Sequence, residues 1–171
     1  MKTLPDTASN NRGFSLMELA LGLIILFVIG AVTMPRFALG PDNSDLDRVA
    51  ATARDFQDAV REVQRIWQSQ GADGSMRNLD SFSSGQIDTN ELGFPVGIHD
   101  TSRLTRAADC SHLWLNVLSQ APSAWHNDHL DPDYFVELEN DSCRYHYRRA
   151  KGISIVYQPR SGRVLVHSPT G

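Results

Sequence analysis

Phe14 to Met34 is an apolar run broken by a single charge, Glu18, near its start. Wound as a helix it reaches about 31 Å, the thickness of the hydrocarbon layer of a bilayer, and is therefore read as a membrane-spanning helix. Lys2 and Arg12 precede it and hold that end on the cytoplasmic side. A carboxylate within such a slab costs about 2.5 to 3.5 kcal/mol on insertion scales, so a chain that keeps Glu18 there needs it for a partner. The run is longer than the core of a secretory signal, contains Glu18, and lacks an Ala-x-Ala site at its end, which sets it apart from a cleaved signal peptide. A plain signal anchor accounts for the span but leaves Glu18 without a purpose.

Arg12-Gly13-Phe14-Ser15-Leu16-Met17-Glu18 follows a short polar leader. This arrangement resembles the type IV pilin and pseudopilin family, whose precursors join a leader, a basic residue and glycine to Phe-[Ser/Thr]-Leu-x-Glu. The resemblance implies that a prepilin peptidase cuts after Gly13 and methylates the new amino group of Phe14. It also implies a helix-bending role for Pro35. The match covers the leader and about the first 25 residues of the mature chain; the remainder agrees in layout only. Gly93-Phe94-Pro95-Val96 and Cys110-x-x-Leu113-Trp114 are further similar to pilins of the mannose-sensitive haemagglutinin type.

Glu18 of one subunit and the Phe14 amine of the next are opposite charges at one depth. A head-to-tail pair of this kind propagates without closing into a ring and so builds a filament. Leu19, Leu23, Ile24, Phe27 and Val28 would pack on equivalent helices, with Gly22 and Gly30 allowing close approach.

Pro35 to Ser44 is dense in helix breakers and is read as a kink or linker, the helix bending or breaking near Pro35 to Pro41. Beyond it Leu46, Val49, Ala53, Phe56, Val60, Val63 and Trp67 recur three and four apart, an amphipathic helix with Ser44 and Asp47 as a capping pair and Gly71 as a stop. The pairs Asp58 with Arg61 and Glu62 with Arg65 add surface support. Gly71 to Leu104 reads mostly as loop, with Leu92 to Ile98 its best apolar piece. Cys110, Leu113, Trp114, Val117 and Leu118 then mark a short helix ended by Pro122. From Tyr134 the period becomes two, giving strands at Tyr134–Leu138, Cys143–Tyr147, Ile153–Tyr157 and Val164–Val166, an antiparallel meander. The expectation is an α+β, pilin-like chain: leader 1–13, spanning helix 14–34, kink or linker 35–44, and a periplasmic head 45–171 in which the long N-terminal helix rests on an antiparallel sheet.

Cys110 and Cys143 both fall on the periplasmic side of the expected span and are expected to pair there; two unrelated buried thiols are the alternative. The formal charge of −4 conceals an asymmetry, with a net −9 over Ala72 to Ser142 and +6 over Cys143 to Gly171. These patches either complement one another between subunits or pair within one head. Arg144-Tyr145-His146-Tyr147-Arg148-Arg149 interleaves bases and aromatics as a single-strand nucleic-acid surface does, a reading that fails if Tyr145 and Tyr147 face the core.

His126, His129 and Asp131 have ligand-like density for a transition metal, and Asp128, Asp131 and Asp133 for calcium, but neither set matches a template and a solvated acidic loop is the plainer reading. No metal or other cofactor is expected. No His-Glu-x-x-His, Gly-x-Ser-x-Gly, phosphate-binding loop or Cys-x-x-Cys occurs, so the chain is expected not to be an enzyme. The expected function is that of a structural subunit, a minor pilin of a type IV pilus, with a pseudopilin of type II secretion as the alternative and, further behind, a DNA-binding pilin or a membrane-anchored periplasmic enzyme. Its expected partners are prepilin peptidase, other pilins, the membrane, and an inner-membrane platform with its assembly ATPase. It would sit in the inner membrane as a single-pass precursor and in a fimbrium after assembly.

Overall fold

The computed structural model describes Met17 and residues 19–24, 41–80, 82, 86–98, 102–127 and 131–169. The chain divides between Gly40 and Pro41, and the two parts are described separately.

In the first part Met17 and Leu19 to Ile24 are helical. Among the described residues, no helix is long and apolar enough to cross a membrane. This corrects two expectations, the long apolar helix over 14–34 and the single-pass inner-membrane placement that rested on it. The long helix that is present, α1 over Pro41–Ser69, carries Asp55, Asp58, Arg61, Glu62 and Arg65 along its outer side, a polar face that belongs in water. Phe14, Glu18, Phe27, Val28, Gly30 and the expected bend at Pro35 lie outside the described residues.

α1 takes in residues 41–44, which the sequence assigned to a linker. Ser44 thus lies within the helix rather than ahead of it. The inner stripe falls where its spacing placed it: Val49, Ala53, Phe56, Val60 and Val63 are buried, with Leu46 and Trp67 packed at its ends. Both expected surface pairs form, Arg61 to Asp58 and Arg65 to Glu62. The helix closes where the N–H groups of Gln70 and Gly71 reach the carbonyls of Ile66 and Gln68.

Residues 71–104 are not plain loop. β1 (Asp88–Thr89) and β2 (Pro95–Gly97) form a two-stranded antiparallel sheet, extended by a bridge from Met76 to Thr89. α2 (Ala107–Val117) follows, burying Cys110, Leu113, Trp114 and Val117.

The main sheet has five strands in the order β3-β4-β5-β6-β7. β4 (Tyr134–Glu139), β5 (Ser142–Tyr147), β6 (Ser154–Gln158) and β7 (Arg163–His167) are the antiparallel meander that the period-two pattern marks. The sheet is not wholly antiparallel. β3 (Ala124–Trp125), just before the 126–133 segment whose plainer reading is a solvated acidic loop, pairs parallel with the start of β4. Asn140 and Asp141 both have positive φ between the paired residues Glu139 and Ser142, a two-residue turn whose twist suits a hairpin.

α1 and α2 lie on one face of this sheet, and the core between them is largely aromatic. Phe56 meets Trp114 at 5.2 Å between ring centroids, Tyr145 at 5.8 Å and Tyr157 at 5.3 Å. Trp114 also packs on Tyr145 at 4.4 Å and on Tyr134 at 5.1 Å. Each polar tip finds an acceptor: Tyr145 donates to the Cys110 carbonyl at 2.9 Å, Tyr157 to that of Pro95 at 2.8 Å, and the Trp114 indole to that of Pro122 at 2.8 Å. Aromatic burial is therefore obtained without stranded donors.

Candidate functional site

Alternation along β4 and β5 sends Tyr134, Val136, Cys143, Tyr145 and Tyr147 inward and leaves Glu137, Glu139, Arg144 and His146 on the opposite face. Register places Glu137 across from Arg144, with His146 one row further on. His146 Nε2 lies 2.9 Å from Glu137 Oε2, and Arg144 Nε donates to Glu139 Oε2 at 2.7 Å while its Nη1 donates to Ser154 Oγ at 3.2 Å. One donor atom each from Glu137, Glu139 and His146 falls within 4.8 Å of the others. Glu137 and Glu139 also line an open cleft of about 450 Å³, whose other walls include Thr105, Arg106 and His126.

Part of the charge asymmetry of the sequence is offset inside one head. Besides Arg144 with Glu139, Arg149 pairs with Asp133 at 3.0 Å, Arg160 with Asp141 at 2.8 Å and Arg148 with Asp131 at 3.6 Å. Tyr145 and Tyr147 face the core, so the interleaved bases and rings of residues 144–149 do not form a stacking platform for nucleic acid.

The 126–133 segment is occupied in other ways. Asp133 uses both carboxylate oxygens, accepting from Ser123 Oγ at 2.9 Å and from Arg149 at 3.0 Å, and His126 Nδ1 lies 3.4 Å from Ser111 Oγ. Asp131 is exposed, whereas Asp128 and His129 lie outside the described residues.

Cys110 and Cys143 are joined in a disulfide, with Cα atoms 5.6 Å apart, and this ties α2 to β5. At the start of α2 the Asp109 side chain, 1% exposed, accepts from the N–H groups of Thr105 and Arg106 and from the Thr105 hydroxyl. Burial pushes the Asp109 carboxyl up, but the hydrogen bonds from Thr105 and Arg106 together outweigh it and hold the group below its ordinary value.

Gly93-Phe94-Pro95-Val96, noted in the sequence for its likeness to one pilin type, acts as a clamp. Asn90 Oδ1 accepts from the N–H groups of Leu92 and Phe94, and its Nδ2 donates to the Pro159 carbonyl at 2.8 Å. Gly93 has φ +78° and lies against the Trp67 ring, where a Cβ would collide; Gly162, with φ +63°, lies equally close beneath the Phe94 ring.

Of the expected assembly residues, Gly13, Phe14 and Glu18 lie outside the described residues. Leu19, Leu21, Leu23 and Ile24 are described and are 57%, 60%, 60% and 62% exposed, and no atom comes within 4 Å of a Cβ built on Gly22. Leu19 and Leu23 fall on one side of this short helix and Leu21 and Ile24 on the other, so large apolar side chains are exposed on both sides. Comparison with protein-family models, with curated proteins and with solved structures finds no match to this chain.

Proposed function

We propose that this chain is a structural subunit of a type IV pilus-like filament, a minor pilin, matured by a prepilin peptidase between Gly13 and Phe14. The observation that carries the reading is the Arg12-to-Glu18 motif standing directly before a helical segment whose large apolar side chains, Leu19, Leu21, Leu23 and Ile24, are exposed. In this reading those side chains pack on equivalent segments of other pilins, and Glu18 pairs with the N-methylated amine of a neighbouring Phe14. An assembly ATPase and its platform supply the work, so the subunit contributes interfaces rather than chemistry. Pro35 and Gly40, which interrupt the chain before α1, favour a minor over a major subunit.

Mass spectrometry of the protein from a cell with the processing machinery tests the proposal. The expected mature chain begins at N-methylated Phe14; a mature chain that keeps Met1 and the leader overturns it. Glu18→Ala is expected to be processed normally and to be lost from filaments.

A further inference from the structure

We propose that Glu137, Glu139 and His146 bind a divalent transition-metal ion on the solvent face of the β4–β5 hairpin. Glu137 and Glu139 are two apart on one strand and share a face, while His146 reaches them diagonally from the neighbouring strand. Three donors each about 2.0 to 2.2 Å from one zinc ion lie no more than about 4.4 Å apart. The three side chains already bring their donor atoms within 4.8 Å, so small rotations of half-exposed carboxylates complete the approach.

The donor set is one imidazole nitrogen and two carboxylates. It suits zinc and its first-row neighbours better than calcium, which takes oxygen ligands in larger number. Three protein ligands leave coordination positions for water, and the cleft bordered by Glu137 and Glu139 gives them room. His146 Nε2 already faces a Glu137 oxygen at 2.9 Å, so these two donors are held side by side.

Arg144 is the competitor, because it holds Glu139. It has a second acceptor in Ser154 Oγ, however, and keeps a partner when Glu139 turns toward the ion. Arg106 on the same cleft is offset by Asp109, so the two carboxylates exceed the Arg144 guanidinium by a full negative charge, which favours a cation.

Isothermal titration of the purified full-length protein with Zn2+ alone tests the site. Saturable one-to-one binding is expected, weakened by about tenfold or more in both His146→Asn and Glu137→Gln and tightened in Arg144→Gln. These positions are half-exposed, and circular dichroism of each variant verifies folding; should one misfold, Glu139→Gln serves in its place. No binding by the wild type, or binding equally strong in His146→Asn, overturns the proposal. Loss confined to His126→Asn also overturns it, by assigning the ion to the 126–133 segment.

Discussion

Gln57 of α1 reads the backbone of β7: its Oε1 accepts from Val164 N–H at 2.9 Å and its Nε2 donates to the Gly162 carbonyl at 2.8 Å. A side-chain amide thus supplies the donor and acceptor that another strand would have presented to this end of the outermost strand of the sheet. Such pairing satisfies groups that would otherwise invite association with another chain. Gln57→Leu is expected to leave two half-buried backbone groups unmet, at a cost of about 1 to 3 kcal/mol. Gln57→Glu keeps the acceptor and loses the donor, so its neutral-pH destabilisation should shrink in mild acid, where the carboxyl regains a proton. Urea midpoints of the two variants at both pH values check this; equal pH response in both would refute the bidentate role.

The disulfide joins residues 33 apart in sequence, and in the chain-entropy model a loop of that size is worth roughly 3.7 kcal/mol. A small domain has about 5 to 15 kcal/mol in total. Cys110→Ala/Cys143→Ala is therefore expected to lower the thermal midpoint by many degrees while leaving far-UV dichroism at low temperature near that of the parent. Because Tyr145 donates to the Cys110 carbonyl, the loosened helix should also raise hydrogen exchange at Tyr145 and its strand neighbours. A midpoint shift smaller than a few degrees would mean that the aromatic core alone holds α2 in place.

Where one face is buried, the sequence carried the elements openly. The three- and four-residue spacing of Val49 to Val63 and the alternation through Tyr134, Val136, Tyr145 and Tyr157 report the same interface from its two sides, because burial acts on every second or every third to fourth residue. β3 escaped notice for the converse reason: Ala124 and Trp125 are too few to show a period, and their parallel pairing with Tyr134 and Phe135 depends on a partner ten residues away. The ligand-like density of His126 to Asp133 is a linear feature only, since Asp133 is held by Ser123 and Arg149. Glu137, Glu139 and His146 come together only through strand register, which no linear spacing displays. Asn90 was equally silent, since its amide serves the loop that contains it and the Pro159 carbonyl. The apolar run after Glu18 matches a bilayer in length, yet among the described residues no helix is long and apolar enough to cross one.

Gly162 carries two demands at once, a positive φ and a Phe94 ring on its Cα. Gly162→Ala meets strain from both, and the ring cannot retreat easily because Asn90 holds the Phe94 N–H and Gly162 holds Gln57 through its carbonyl. The expected loss is about 2 to 3 kcal/mol, above the usual single-site effect. Phe94→Ala/Gly162→Ala relieves the collision but not the φ, so the cost of the alanine at 162 should fall when Phe94 is already absent. A double-mutant cycle measured by chemical denaturation gives the coupling; strict additivity would show that the ring and the glycine are independent.

Alkaline pH probes the aromatic core directly. Burial pushes the Tyr134 phenol up to about 12, with Tyr147 and Asp133 adding to the shift and Thr52 and Arg48 opposing it, and burial pushes Tyr145 and Tyr157 well above their ordinary value. In the unfolded chain these phenols ionise near pH 10. Above that point the unfolded state binds fewer protons than the folded one, so stability falls as pH rises. The contribution is complete below about pH 10 and is lost as pH climbs through the folded values, about 12 for Tyr134. Tyrosinate absorbance should therefore appear together with loss of near-UV dichroism, in one cooperative transition above pH 10 rather than as separate titrations. Tyr157→Phe removes one of the ionisations and leaves the Pro95 carbonyl without its donor, so the variant should be about 1 kcal/mol less stable at neutral pH and lose stability less steeply in alkali. Smooth ionisation near pH 10 with the dichroism intact would show that the three phenols are reached by water in the native state, contrary to the packing of Phe56 and Trp114 around them.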